Sequence, residues 1–254
     1  MTRWCSRVVP SLFGSRRCAL RPQFSSRLTR AKISTHKVVA DMQPEEQNRA
    51  LSNFLSSKPR IILGSGSFGR KAIFKELGID FEVLKPDIDE KAIRKERPED
   101  LVLALAHAKS AVLRDRIGPV TDPVYLVTAD QVVVYRDTIR EKPTSEAEAR
   151  EFISGYGEAP AKTVGGIVVC NLATKKTFES LDIAEVHFKP IPVEVREALI
   201  EEGTVFLCAG GLMVEHELIW PLVTKLDGTM DSIMGMGKHV VASLLLEAAA
   251  SSDD

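Results

Sequence analysis

A chain of 254 residues, 44% hydrophobic and 27% charged, holds enough apolar material for one globular domain plus a tail, which excludes a fibrous or wholly disordered protein. Its formal net charge of −1 gives no overall basic excess for extended nucleic acid, so any grip on phosphate must be local. Cys5, Cys18, Cys170 and Cys208 follow no zinc or disulfide spacing, which points to a reducing compartment, and no apolar run approaches the roughly 20 residues a membrane-spanning helix needs.

Residues 1–41 stand apart from the rest. Arg3, Arg7, Arg16, Arg17, Arg21, Arg27 and Arg30 are interleaved with serines and small apolar residues, and no acid precedes Asp41. That composition reads as an organellar address for mitochondrion or plastid, or as a disordered basic tail. Initiation at Met42 would give a cytoplasmic form. Residues 42–58 read as an N-terminal helix and linker, the helix over 44–55 with Glu45 and Glu46 in its first turn.

From residue 59 to 249 the pattern is that of one domain. A β-prone run at 61–63 leads through a Gly/Ser loop to a helix over 71–77 and a strand at 81–84. Residues 98–114 form a helix opened by Pro98, Glu99 and Asp100, with Leu101, Leu105, Ala108 and Val112 on one side. A strand over 125–135 follows, then a helix over 145–153 capped by Ser145. Residues 162–170 and 177–188 read as an antiparallel hairpin. Helices over 193–202 and 238–249 close the chain, with a loop over 228–237 between them. The class is α/β, a mixed sheet flanked by helices.

Within this frame, Gly64-Ser65-Gly66-Ser67-Phe68-Gly69-Arg70 follows a strand and opens a helix, where free backbone N–H groups and the positive helix end can hold phosphate. Ser65, Ser67 and Arg70 add donors. The same glycines fit a tight turn without a ligand, or a GxGxxG dinucleotide fingerprint with Asp87 as the ribose acid. That last reading requires repeated βαβ units, and this chain turns to a hairpin instead. Asp87 and Asp89 suit a solvated turn. Glu90, and Asp130 at the end of an apolar strand, are the better candidates to hold a hard divalent cation. Lys109 and Lys142 can place point charges on phosphates. His107, His187, His216 and His239 lack metal-ligand spacing and read as structural or surface residues.

Taken in order, Ser65-x-Ser67-x-x-Arg70, Asp89-Glu90, Ala108-Lys109, Ala129-Asp130, Lys142-Pro143 and Ala209-Gly210-Gly211 resemble the Maf family, over nearly all of the chain outside the tail. The resemblance implies a two-lobed fold with a central cleft, similar to inosine-triphosphate pyrophosphatases. It implies a nucleoside triphosphate pyrophosphatase that uses magnesium or manganese and forms a homodimer. It makes Asp130 the catalytic acid residue and Glu90 its partner at the metal, with Ser65, Ser67, Arg70, Lys109 and Lys142 gripping the triphosphate. Cleavage between the α and β phosphorus atoms needs a water aimed in line, a carboxylate to take its proton, and cations to absorb phosphate charge, which agrees with that set.

The chain also departs from the family pattern. Phe68-Gly69-Arg70 stands where many members have Pro-Arg-Arg, Gly165-Gly166 where they have Thr-Gly, and Asp130-Gln131 where they have Asp-Thr. Gln131 together with Glu215 resembles the branch that prefers a methylated guanine nucleotide. The Glu215 carboxylate can accept from guanine N1–H and the exocyclic amine. Phe68 can stack on the base or pack in the core. A nucleotide-binding regulator that has lost turnover is the competing reading, and retention of Glu90, Asp130, Lys109 and Lys142 argues against it.

Overall fold

A computed structural model gives the fold, and it describes residues 42–251. The readings made for residues 1–41, Cys5 and Cys18 included, lie outside the described residues. In chain order the elements are α1 (Pro44–Ser56), β1 (Arg60–Gly64), α2 (Phe68–Glu76), β2 (Glu82–Val83), α3 (Pro98–Ile117), β3 (Val124–Tyr135), β4 (Thr138–Arg140), α4 (Glu146–Gly155), β5 (Ala161–Asn171), β6 (Thr177–Phe188), α5 (Val193–Glu202), β7 (Val223–Asp227), α6 (Met230–Ile233) and α7 (Lys238–Ala250).

The strands form one seven-stranded mixed sheet in the order β2-β1-β3-β5-β6-β7, with the short β4 paired to β3. β1 runs parallel to β2 and β3, and every later pairing is antiparallel. The chain abandons the parallel βαβ repeat after two crossovers, β1–α2–β2 and β2–α3–β3, and turns antiparallel where a dinucleotide-binding sheet would repeat that half.

Because successive side chains alternate between faces, β3 divides cleanly. Leu126, Thr128, Asp130 and Val132 share one face; Val127, Ala129, Gln131 and Val133 share the other. On the first face α3 lies across β3 and β5, packing Leu113 with Leu126 and Cys170 at one end and Leu101, Val102 and Leu105 with Val132 and Val164 at the other. On the second face α2 and α7 cover Val127, Ala129, Ile167 and Val169, whereas Val133, Ala161, Ala184 and Val186 belong to a separate cluster with α4 and α5. Asp130 and Gln131 sit at the seam between these apolar clusters. α1 docks on α7, where Gln47 donates to the His239 carbonyl at 3.0 Å and Leu51 is buried.

Several element readings shift. Ser67 caps α2 by accepting from the Arg70 N–H at 3.4 Å, so that helix starts at Phe68 rather than Lys71. α3 is rotated from the expected side: Leu101, Val102, Leu105, Ala106, Lys109 and Leu113 are buried, while Ala108 and Val112 are only half-buried. Asp130 lies in mid-strand, although it stands just beyond the last parallel pair, Gly64 with Thr128, so the β1 side of the sheet does end there. The expected loop at 228–237 contains α6, capped by the Thr229 hydroxyl. Ser145 caps α4 as expected, accepting from the Glu148 N–H at 3.2 Å.

Candidate active site

The centre of the site follows from how α3 crosses β3. Thr128 Oγ1 donates to the Ala106 carbonyl at 2.9 Å, fixing the helix over the strand. One turn on from Ala106 comes Lys109, and two residues on from Thr128, on the same face, comes Asp130; the two periodicities bring them together. Lys109 Nζ lies 2.5 Å from Asp130 Oδ1 and 2.7 Å from Glu90 Oε1. Lys109 is 6% exposed, so this is a buried ammonium holding two carboxylates. Gly166, paired opposite Asp130, permits the close crossing: a Cβ there would lie 2.9 Å from the backbone of Val102 and Leu103.

Glu90 arrives on a 3-10 turn, Glu90–Ala92, between β2 and α3, and Asp89 caps that turn by accepting from the Lys91 N–H at 3.0 Å. Burial pushes the Glu90 carboxyl up, yet the hydrogen bond from Lys109 and the charges of Lys109, Lys142 and Arg70 together hold it below the usual carboxylate range. Arg94, which the sequence reading missed, ties this turn across the site. Its Nη1 donates to the Glu90 carbonyl at 3.3 Å and to Glu141 Oε1 at 3.2 Å, next to Lys142.

The Ser65–Arg70 loop sits beside this centre. Ser65 Oγ accepts from the Ser67 N–H at 3.1 Å, which leaves both hydroxyl protons available to a ligand at the N-terminus of α2. Phe68, read as stacking or core, is 82% exposed and takes no part in the core. Arg70 is buried, and its guanidinium binds the polypeptide itself: Nε donates to the Gly235 carbonyl at 3.1 Å and Nη1 to the Ala129 carbonyl at 2.9 Å. Burial lowers its pKa, and the charges of Asp130 and Glu90 oppose that fall. Gly69 has a steric reason as well. A Cβ there would stand 2.7 Å from the Met234 carbonyl, so a second arginine has no room beside the α6–α7 connection.

On the opposite sheet face, Gln131 Nε2 donates to the Ser232 carbonyl at 2.7 Å, so this side chain anchors the segment after β7. Asp182, also missed, completes that anchorage: buried on β6, it accepts from the Gly237 N–H at 2.5 Å, where α7 begins. Its signal was an acid on the buried parity of a strand, in line with Ala184 and Val186.

Lys142 and Glu215 come from the far cluster. Arg140 is buried there, stacked 4.0 Å from the Tyr135 ring centre, and Tyr156 donates its hydroxyl to the Gly210 carbonyl at 2.7 Å. The Gly210 N–H in turn donates to the Glu141 carbonyl at 2.8 Å, which sets the exposed Lys142 beside the Ala209–Gly211 turn. Cys208 reports where the two exposed charges lie. Burial pushes its thiol up to about 11, the Glu215 carboxylate adds to the rise and Lys142 opposes it. Cys170 and Cys208 are both free. Of the histidines, His107 pairs with Glu179 and His216 with Glu202, while His187 on β6 meets Glu185 and, on the edge strand β7, Asp227, in a grouping the sequence reading passed over.

A buried ammonium between two carboxylates, beside a serine-lined helix N-terminus and with the charges of Arg70 and Lys142 near Glu90, defines a centre for polyanionic phosphate on a mixed α/β sheet. Residues 60–248 match the family described as Maf-like protein, and the chain belongs to that family. It is 39% identical over 199 residues to the 7-methyl-GTP pyrophosphatase of Dictyostelium discoideum, covering 77% of this chain and 100% of that protein. It is 33% identical to the 7-methyl-GTP pyrophosphatase of Idiomarina loihiensis, over 61% of this chain and 77% of the relative. It is 29% identical to the dTTP/UTP pyrophosphatase of Geotalea uraniireducens, over 72% and 91%.

Proposed function

We propose that this chain hydrolyses nucleoside triphosphates between the α and β phosphorus atoms, releasing nucleoside monophosphate and pyrophosphate, with a 7-methylated guanine nucleotide as its preferred class of substrate. The observation that carries the reaction is the Glu90–Lys109–Asp130 centre set against the Ser65–Arg70 loop. The hydroxyls of Ser65 and Ser67 and the first amides of α2 receive phosphate oxygens. Lys109 and Lys142 absorb charge as it moves onto the departing pyrophosphate, and Asp130 takes the proton of the attacking water. The donor set fits a divalent metal, because Glu90 and Asp130 turn hard carboxylate oxygens toward one point already held by a cation; magnesium or manganese bound to them would supply further charge to the phosphates.

The base preference rests on the names of the most similar relatives reported above and on two exposed side chains, Phe68 to stack on the base and Glu215 to accept from guanine. The retained carboxylates and lysines speak against a binding-only regulator. A homodimer and an organellar address in residues 1–41 belong to the same reading; they rest on the family resemblance and on composition.

The test is pyrophosphate release from a panel of canonical and methylated nucleoside triphosphates with magnesium or manganese. Release is expected to be fastest with 7-methyl-GTP, and Asp130→Asn should lower it by about 100-fold or more with the fold intact. Near-normal turnover in that variant would sink the assignment of the general base.

A further inference from the structure

Lys109 stands where a hard cation would be expected. Both carboxylates of the centre point at its Nζ, at 2.5 and 2.7 Å, and at 6% exposure the lysine is largely withdrawn from water. An ammonium offers three donors, and two of them are committed here. A divalent ion brought to the same oxygens comes close to this positive charge, in surroundings only partly screened by solvent, and the two repel. An arriving triphosphate changes the balance. Its anionic oxygens, held at the Ser65–Arg70 loop, offer the flexible lysine new acceptors and release the carboxylates.

From this geometry we infer that Lys109 is the counter-cation of the nucleotide-free enzyme, yielding Glu90 and Asp130 to a divalent metal only when a triphosphate arrives. Metal and nucleotide then bind with positive coupling, and metal alone binds weakly. The inference rests on the triphosphate reading above.

Two measurements test it on the full chain. The first follows the Lys109 ammonium by proton–nitrogen NMR in wild-type protein. The resonance is expected to ignore saturating magnesium alone, and to shift when magnesium is added together with the non-hydrolysable α,β-methylene analogue of the best substrate. The second measures manganese binding, by the paramagnetic signal of free Mn2+, in wild type and in Lys109→Met without nucleotide. The variant should bind manganese about tenfold more tightly, and the gain should vanish when Asp130→Asn is added. If Lys109→Met fails to fold by circular dichroism, the NMR result decides alone. A Lys109 resonance that moves with magnesium alone, in a protein that still releases pyrophosphate, overturns the counter-cation role and leaves the hydrolase standing. A resonance indifferent to metal and nucleotide together, with no pyrophosphate released from any substrate, overturns both.

Discussion

Cys208 offers a way to read the far side of the site without any ligand. Its thiol is held up at about 11 by burial and by the Glu215 carboxylate, with Lys142 pulling the other way. The thiolate is the reactive form, so alkylation under mildly alkaline conditions should be slower than for an ordinary exposed cysteine. Glu215→Gln removes a negative charge, lowers the pKa and should speed alkylation; Lys142→Met removes a positive charge, raises the pKa and should slow it. Iodoacetamide labelling followed by mass spectrometry gives both rates, and equal rates in the two variants would mean that neither charge stands near Cys208. At this scale much of the site was legible. Asp130 betrayed itself as an acid next to an apolar strand run, although it was read at the strand's end and lies within it, and Ser65, Ser67 and Arg70 as polar residues around a glycine loop before a helix. What the residues did not disclose was division of labour: Arg70 reads as a phosphate ligand, yet its guanidinium binds the carbonyls of Ala129 and Gly235.

Periodicity carries the long elements. β3, β5, β6, α3 and α7 all fell close to their expected spans, because each has enough apolar positions for a helical or alternating repeat to emerge. β4 and β7 did not, since a strand of three or five residues on or near a sheet edge shows too few buried positions to set a pattern. The angular placement of α3 was also misread, since its apolar residues are spread widely enough that more than one side qualifies, and only packing chooses. That choice is what carries Lys109 to Asp130. Gly166→Ala would push a methyl group into the backbone of Val102 and Leu103, at 2.9 Å before any relaxation. The expected cost is about 1–3 kcal/mol by urea unfolding, the usual penalty for overpacking, with a loss of pyrophosphate release larger than the stability change alone explains. Full activity would show that α3 can move without disturbing Lys109.

Across the whole molecule the site occupies the row where β3, β5 and β6 pass between apolar clusters: Gln131, Gly165 and Asp182 on one face, Asp130 and Gly166 on the other. The segment after β7 closes over the Gln131 face, held by Gln131 at Ser232, by Arg70 at Gly235 and by Asp182 at Gly237. Asp182→Ala would leave the buried Gly237 N–H without its acceptor, at a cost of about 1–3 kcal/mol. Faster hydrogen exchange at Gly237, with weaker substrate binding as Arg70 loses its support, would mark the release of this segment; unchanged exchange would show that Asp182 does not hold it. Composition, the ordered motifs and the strand and helix periods were enough to define a mixed α/β domain and most of its chemistry-bearing residues, because those signals are local along the chain. Tertiary structure alone decided that Lys109 bridges Glu90 and Asp130, that Arg70 and Gln131 anchor the closing segment, and that Arg94 and Asp182 serve the site. Each of these depends on the crossing of elements far apart in sequence, where burial and hydrogen-bond satisfaction, rather than local pattern, determine which polar groups meet.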